Sequence, residues 1–233
     1  LQHMMETKSD TQRARALRWV SLLALPMMVV GCEKFETSPY ATTKPDSPSM
    51  SNAVNLARLA AREPQDDDTL TIVFTGDPQR FYDEQEAIVA KANSIPNVDL
   101  FILAGDISDF GLAQEFMWVH ERMEELTMPW LAVIGNHDMQ ANGTQVYQQL
   151  FGPLNFSFIY KGYKFLFHDT NGREYGNDGT APNIPWLAEQ MADPAAEHFI
   201  AVSHVPPFNG DFDPVLVAPY TEQLASDERT ILS

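Results

Sequence analysis

Val98-Asp99-Leu100-Phe101-Ile102-Leu103-Ala104-Gly105-Asp106-Ile107-Ser108-Asp109 is a short apolar run that stops on a glycine and then turns acidic. A run of this length, closed by a turn signal, predicts a buried strand over Val98 to Ala104. The same grammar recurs on both sides. Upstream, Leu70 to Thr75 reads as a strand that runs into Gly76-Asp77-Pro78-Gln79, and Asp83 to Asn93 reads as a helix. Downstream, Leu112 to Leu126 reads as a helix and Trp130 to Ile134 as a strand that ends on Gly135-Asn136-His137-Asp138. Strand, helix, strand, helix, strand favours a parallel sheet with helices packed on it, so the fold class is α/β. Farther along, the pattern predicts a helix over Thr144 to Leu150 and a hairpin of Phe156 to Tyr160 and Tyr163 to Phe167 about Lys161-Gly162. A helix over Pro185 to Met191 and a buried strand over Phe199 to Ser203, followed by His204, complete the reading.

Polar residues therefore gather where strands end. In open α/β sheets the crevice beyond the carboxyl ends of the strands is where ligands bind. A glycine ahead of each of the first three polar groups lets the backbone turn sharply there. Any one Gly-Asp after a strand is an ordinary turn. Their joint order carries the information.

Gly-Asp-x-x-Asp, then a helix and a strand, then Gly-Asn-His-Asp, resembles the calcineurin-like metallophosphoesterases over Leu70 to the C-terminus. The resemblance implies a four-layer αββα sandwich, incomplete at its C-terminus here, with two metal ions at the strand ends. It implies that Asp77 ligates the first metal, that Asp106 bridges both, and that Asn136 and His204 ligate the second. His137 is then the catalytic histidine near the leaving group, with Asp109 orienting it as an Asp-His pair. The chemistry asks for the same groups. Two cations roughly 3.5 to 4 Å apart clamp the attacking and leaving oxygens, and a shared carboxylate offsets their repulsion. The leaving oxygen needs a proton donor that is not itself a ligand, the place of His137. The family's commonest first motif is Gly-Asp-x-His, and Gln79 stands where that histidine would be. Two roles stay open for Gln79, an oxygen ligand or a hydrogen-bond partner of an outer water, and ligation is favoured. An amide oxygen is harder than imidazole, so among Mn, Fe, Zn and Mg the pair of divalent ions tilts toward Mn.

Other candidates take plainer readings. His120, beside Glu121, Arg122 and Glu124, reads as a solvated helix residue, and His198 as a residue at a strand start. His168 and Asp169 close a strand and are read as structural, with an outer role near the cleft as the alternative. Asn171 and Arg173 read as exposed turn residues, and Trp118 and Trp130 as core packing.

The 233 residues are 44% hydrophobic and carry a formal net charge of -17. That is a composition for one packed domain, and it excludes a nucleic-acid footprint, which needs clustered Lys and Arg. One cysteine rules out an internal disulfide framework and a Cys-rich zinc site. That cysteine closes Val29-Val30-Gly31-Cys32, after a basic stretch with Lys8, Arg13, Arg15 and Arg18 and an apolar run from Trp19 to Val30. The pattern is that of a secretory signal rather than a spanning helix, and its end resembles a bacterial lipobox with Cys32 as the lipidated residue. The organisation expected is a leader over 1–32, a flexible tether over 33–69 with a short helix near Ala53 to Arg62, and the metallophosphoesterase domain over 70–233. The expected setting is the bacterial cell envelope, lipid-anchored on the extracytoplasmic side, and the expected partners are a small phosphorylated substrate and the membrane. Metal-dependent hydrolysis of a phosphate ester or nucleotide diphosphate is the expected function, with a non-catalytic binding lipoprotein on the same scaffold as the alternative. Arg229 to Ser233 begins an apolar run resembling the family's last strand. The domain is expected to continue past it into a Gly-His-x-His motif, without which each metal lacks one histidine and the residues to 233 are inactive and poorly stable alone.

Overall fold

Side chains along β2 (Leu100–Ala104) alternate between two faces, and both faces are buried. Leu100, Ile102 and Ala104 look into one apolar cluster and Phe101 and Leu103 into another. In the computed structural model, which describes residues 38–42, 47–62 and 69–232, that alternation builds the layers. β1 (Ile72–Thr75), β2 and β3 (Trp130–Val133) form a parallel sheet in that order. Helices α2 (Tyr82–Asn93), α3 (Ala113–Met123) and α4 (Gly143–Leu150) supply Val89, Phe116, Val119, Val146 and Tyr147 to its outer face.

β4 (Phe156–Tyr160), β5 (Tyr163–Phe167), β6 (His198–Val202) and β7 (Thr230–Leu232) make a second sheet, antiparallel at β4–β5 and parallel thereafter. The hairpin register sets Phe156 against Phe167 and Phe158 against Phe165, each pair stacked with ring centroids 4.7 Å apart. Phe165, Phe167, Ile200 and Val202 face Leu100, Ile102, Leu131 and Val133 of the first sheet. Leu166, Phe199 and Ala201 point the other way, onto α5 (Ile184–Met191) and α6 (Val217–Ala225) through Leu187, Met191, Tyr220 and Leu224. Helices, sheet, sheet, helices is the αββα sandwich expected from the resemblance.

Two strands start later than expected because a side chain replaces part of the ladder. The Thr71 amide donates to Asp99 Oδ2 at 2.9 Å, and the Asp99 amide donates to the Thr71 carbonyl at 2.9 Å. The strands proper begin at Ile72 and Leu100.

A larger difference lies in the stretch expected to be a tether. Its helix, α1 (Ser51–Ala61), packs on the open edge of β3. Asn52 acts there as a substitute strand: its Nδ2 donates to the Ala132 carbonyl at 3.0 Å and its Oδ1 accepts the Ala132 amide at 2.9 Å. Asn55 Oδ1 takes the Trp130 amide at 3.2 Å. An edge that would otherwise pair with another chain is thereby satisfied. The same helix corrects His120, which is not solvated: its Nε2 meets Ser51 Oγ at 2.8 Å and its ring packs on Trp130. Trp130 is core as expected, whereas Trp118 is 42% exposed and lies edge-on to Tyr82. Among the described residues no helix is long and apolar enough to cross a membrane. The expected leader with Cys32 lies outside them.

Candidate metal centre

The loops after β1 and β2 are locked together by their own backbones, and those after β3 and β6 join them through side chains. The Asp77 amide donates to the Gly105 carbonyl at 3.1 Å and the Gln79 amide to the Asp106 carbonyl at 3.2 Å. Asp77, Gln79 and Asp106 all sit at positive φ, 54°, 36° and 50°. Non-glycine residues rarely hold that region, and clusters of them are characteristic of functional sites. Gly135 has no room for a side chain, since a Cβ would strike the Asp106 amide and carboxylate. At Gly105, with φ 81°, a Cβ would lie 2.6 Å from the His204 ring. At both positions the missing Cβ lets backbone pass close to Asp106 and His204.

Asp77, Asp106 and His204 each bring one ligand atom into a cluster whose atoms all lie within 4.8 Å of one another. His204 Nδ1 is 2.7 Å from the Ala104 carbonyl, which can only accept, so Nδ1 carries the proton. Nε2 is thereby turned toward Asn136 Oδ1 at 3.1 Å and Asp106 Oδ1 at 3.3 Å. Burial works against a charged His204 ring, but its bond to the Asp106 carboxylate outweighs that and lifts its pKa to about 9. Burial also raises Asp77, helped by the neighbouring Asp106 and opposed by His204. Asp106 moves down: burial pushes it up, and the His204 ring and the His137 amide more than compensate. Two carboxylates, an amide oxygen and an imidazole nitrogen thus aim lone pairs at one small volume. That donor set fits a divalent cation, which relieves the repulsion a proton on His204 otherwise absorbs. Gln79 lies at the same place, its Nε2 3.3 Å from Asp106 Oδ2.

His137 is mounted on the same carboxylate, its amide donating to Asp106 Oδ1 at 2.9 Å. Its pairing with Asp109 differs from the Asp-His pair expected. Nδ1 lies 3.0 Å from the Asp109 backbone carbonyl and 3.9 Å from the carboxylate, whose other oxygen is ion-paired with Arg80. The carbonyl orients the ring and fixes Nδ1 as its donor, leaving Nε2 for other work.

Asp138 is the residue that sequence reasoning passed over. It is fully buried, its Oδ1 accepting the Ser108 amide at 2.7 Å and Ser108 Oγ at 3.0 Å, its Oδ2 the Gly135 amide at 2.9 Å. It braces the Asp106–Asp109 loop against the Gly135–Met139 loop. Burial raises its pKa to about 7 against the pull of those donors. The only sequence signal was its place as the last residue of Gly135-Asn136-His137-Asp138. His168 stays out of the cluster, held by the Leu166 carbonyl and Tyr220. Asn171 is buried rather than exposed: with Asp169 it backs the end of β3, its Nδ2 3.3 Å from the Ile134 carbonyl. Arg173 is exposed as expected and paired with Asp211.

The profile of the calcineurin-like phosphoesterases matches residues 70–227. A probable cyclic nucleotide phosphodiesterase of Xenorhabdus bovienii is 30% identical over 64 residues, 26% of this chain and 26% of that protein. A purple acid phosphatase from yellow lupin (Lupinus luteus) seeds superposes with a TM-score of 0.46 at 13% identity, covering 59% of this chain and 31% of its own. The matched part is thus under a third of the length of either relative.

Proposed function

Because this chain belongs to the calcineurin-like phosphoesterase family across residues 70–227, we propose that it hydrolyses a phosphate ester or nucleotide diphosphate with a pair of divalent cations, outside the cytoplasm. The observation that carries the reading is the convergence of Asp77, Asp106 and His204 within 4.8 Å at the strand ends. In this reading Asp77, Gln79 and Asp106 hold one cation, and Asp106, Asn136 and His204 the other. When bound, the cations draw in the phosphate and acidify the attacking water. Asp106, which would be shared by the two cations, accepts the His137 amide and so anchors the histidine beside the cluster. His137, with Nδ1 committed to the Asp109 carbonyl, presents Nε2 as the atom that carries a proton to the leaving oxygen. Gln79 turns its Nε2 toward Asp106 Oδ2 at 3.3 Å and would offer its amide oxygen, which favours Mn over Zn, only with the amide turned over.

The test is metal content together with turnover of bis(p-nitrophenyl) phosphate and p-nitrophenyl phosphate in Mn, Fe, Zn or Mg. Manganese-dependent hydrolysis is expected of the full-length protein. Metal bound without turnover of any phosphate ester would leave the binding lipoprotein as the better reading, and absence of both would remove the site altogether. The envelope location rests on the sequence from Trp19 to Cys32. Fatty-acid label on the parent protein and none on Cys32→Ser is the outcome expected in a bacterial host, and label on both would refute it.

A further inference from the structure

We propose that Arg80 is a specificity-determining residue that grips a second phosphate on the leaving side of the substrate, so that the site prefers pyrophosphate linkages to simple esters. The inference rests on the phosphoesterase reading above and deepens it. Arg80 directly follows Gln79, and the loop that carries it is held in shape. The Phe81 amide closes onto the Pro78 carbonyl at 2.8 Å, and the Asp77 and Gln79 amides are bonded to the next loop. From that mount the guanidinium crosses to the carboxylate of Asp109, the residue whose carbonyl orients His137. It therefore stands on the His137 side of the cation cluster, where the leaving group departs.

The Arg80 side chain is 67% exposed, while Asp109 beneath it is 10% exposed. The buried partner is fixed and the guanidinium is open to solvent on its remaining edges. Arginine presents five donors in a planar fork, so one carboxylate leaves donors for a phosphate. The charge around it makes that use specific. With Asp77 and Asp106 taken up by the cations that hold the reacting phosphate, the charged side chains left for a second phosphate on the leaving side are the Asp109 carboxylate and Arg80, on a chain of net charge -17. A leaving group ending in an uncharged alcohol has no need of Arg80. One ending in a phosphate would meet repulsion without it.

Arg80→Gln and Arg80→Lys are compared with the parent on diadenosine diphosphate, whose leaving group is a phosphate, and on bis(p-nitrophenyl) phosphate, whose leaving group is a phenol. A bidentate charge-assisted contact corresponds to about a 10- to 100-fold change. The ratio of kcat/KM for diadenosine diphosphate to that for bis(p-nitrophenyl) phosphate should fall by that factor in Arg80→Gln. Lys, keeping the charge but not the fork, should recover part of it. An equal fall on both substrates would mean that Arg80 acts only by holding Asp109 and His137, and would overturn the proposal. So would unchanged kcat/KM on both substrates. A parent that turns over the phenyl diester but not diadenosine diphosphate also overturns it while sparing the phosphoesterase reading. A parent that turns over neither sinks both.

Discussion

β5 and β6 run side by side in parallel, and each is followed by a histidine, His168 directly after Phe167 and His204 two residues after Val202. In both rings Nδ1 is tied to a backbone carbonyl, Leu166 in one and Ala104 in the other. The difference is what Nε2 meets. His168 faces the Tyr220 hydroxyl at 3.0 Å inside the second helical layer, and burial drives its pKa down to about 4. His204, past the sheet edge, faces Asn136 and Asp106, and its pKa is held up at about 9 even though burial opposes it. Residue type and strand-end position are shared. The facing groups decide which histidine joins the carboxylate cluster and which is a core residue.

The widest gap should open when the two are replaced in turn. His204→Ala removes a proposed ligand, and its effect should exceed the cost of losing an outer partner, so turnover with Mn should fall by about 100-fold or more and metal content should drop. His168→Gln should keep turnover within about threefold and keep its metal, as for a residue that supports packing only. Metal analysis by mass spectrometry alongside kcat/KM decides it. Comparable losses from both would erase the distinction.

Asp138→Ala sharpens the comparison by disturbing the loop that gives His204 its Asn136 partner. The change strands the Ser108 amide, the Ser108 hydroxyl and the Gly135 amide. At about 1–3 kcal/mol for each buried unpaired donor, a loss on the order of 4 kcal/mol is expected in urea unfolding. Asp138→Asn, which keeps one carbonyl acceptor, should lose less. If the alanine variant unfolds at the parent's urea midpoint, the brace is not what holds the two loops together.

These residues were unequally legible in the sequence. The layers were readable because β2 and β3 are unbroken apolar runs and because strand and helix patterns alternate along the chain. The cluster was readable because its residues follow strand ends, with a glycine ahead of Asp77, Asp106 and Asn136. Asn52 and Asn55 were not, since a polar side chain that imitates a strand carries no hydrophobic signal, and His120 was misjudged with them because α1 is what buries it. Asp109 and His137 were named for the right place but the wrong atoms: spacing locates residues, and only coordinates distinguish a carbonyl at 3.0 Å from a carboxylate at 3.9 Å. Asp138 lay inside the quoted motif, and nothing in the pattern separates an acid aimed at a metal from one aimed at amides.

A smaller effect separates the strand-end histidines by pH. His168 is neutral in the fold down to about pH 4, whereas an unfolded histidine takes its proton near 6.5. Between those values the unfolded chain binds more protons, so this residue's contribution to stability falls as pH is lowered from 6.5 to 4 and is level below that. The difference is on the order of 3 kcal/mol. Asp138, raised to about 7, contributes with opposite sign over much of the same window, its share falling as pH rises. The measurement is therefore the parent's stability minus that of His168→Gln at each pH. A difference that stays flat from pH 7 to 4 would show that His168 is not buried neutral.

The smallest effect belongs to His198, at the opposite end of β6 from the site. Its ring lies 5.2 Å from that of Tyr163, and its Nδ1 is buried without a hydrogen-bond partner. Its backbone amide holds the strand start through the Gly162 carbonyl at 3.3 Å, which a side-chain change does not touch. Replacing a ring whose Nδ1 is unpartnered by an apolar one of similar shape removes a desolvation cost and keeps the contact with Tyr163. His198→Phe should therefore be neutral or stabilising by about 0.5 kcal/mol in urea, with kcat/KM unchanged. If turnover falls instead, the two ends of β6 are coupled, and the rule that facing groups alone assign a histidine its role fails at the end of the strand where no ligand lies.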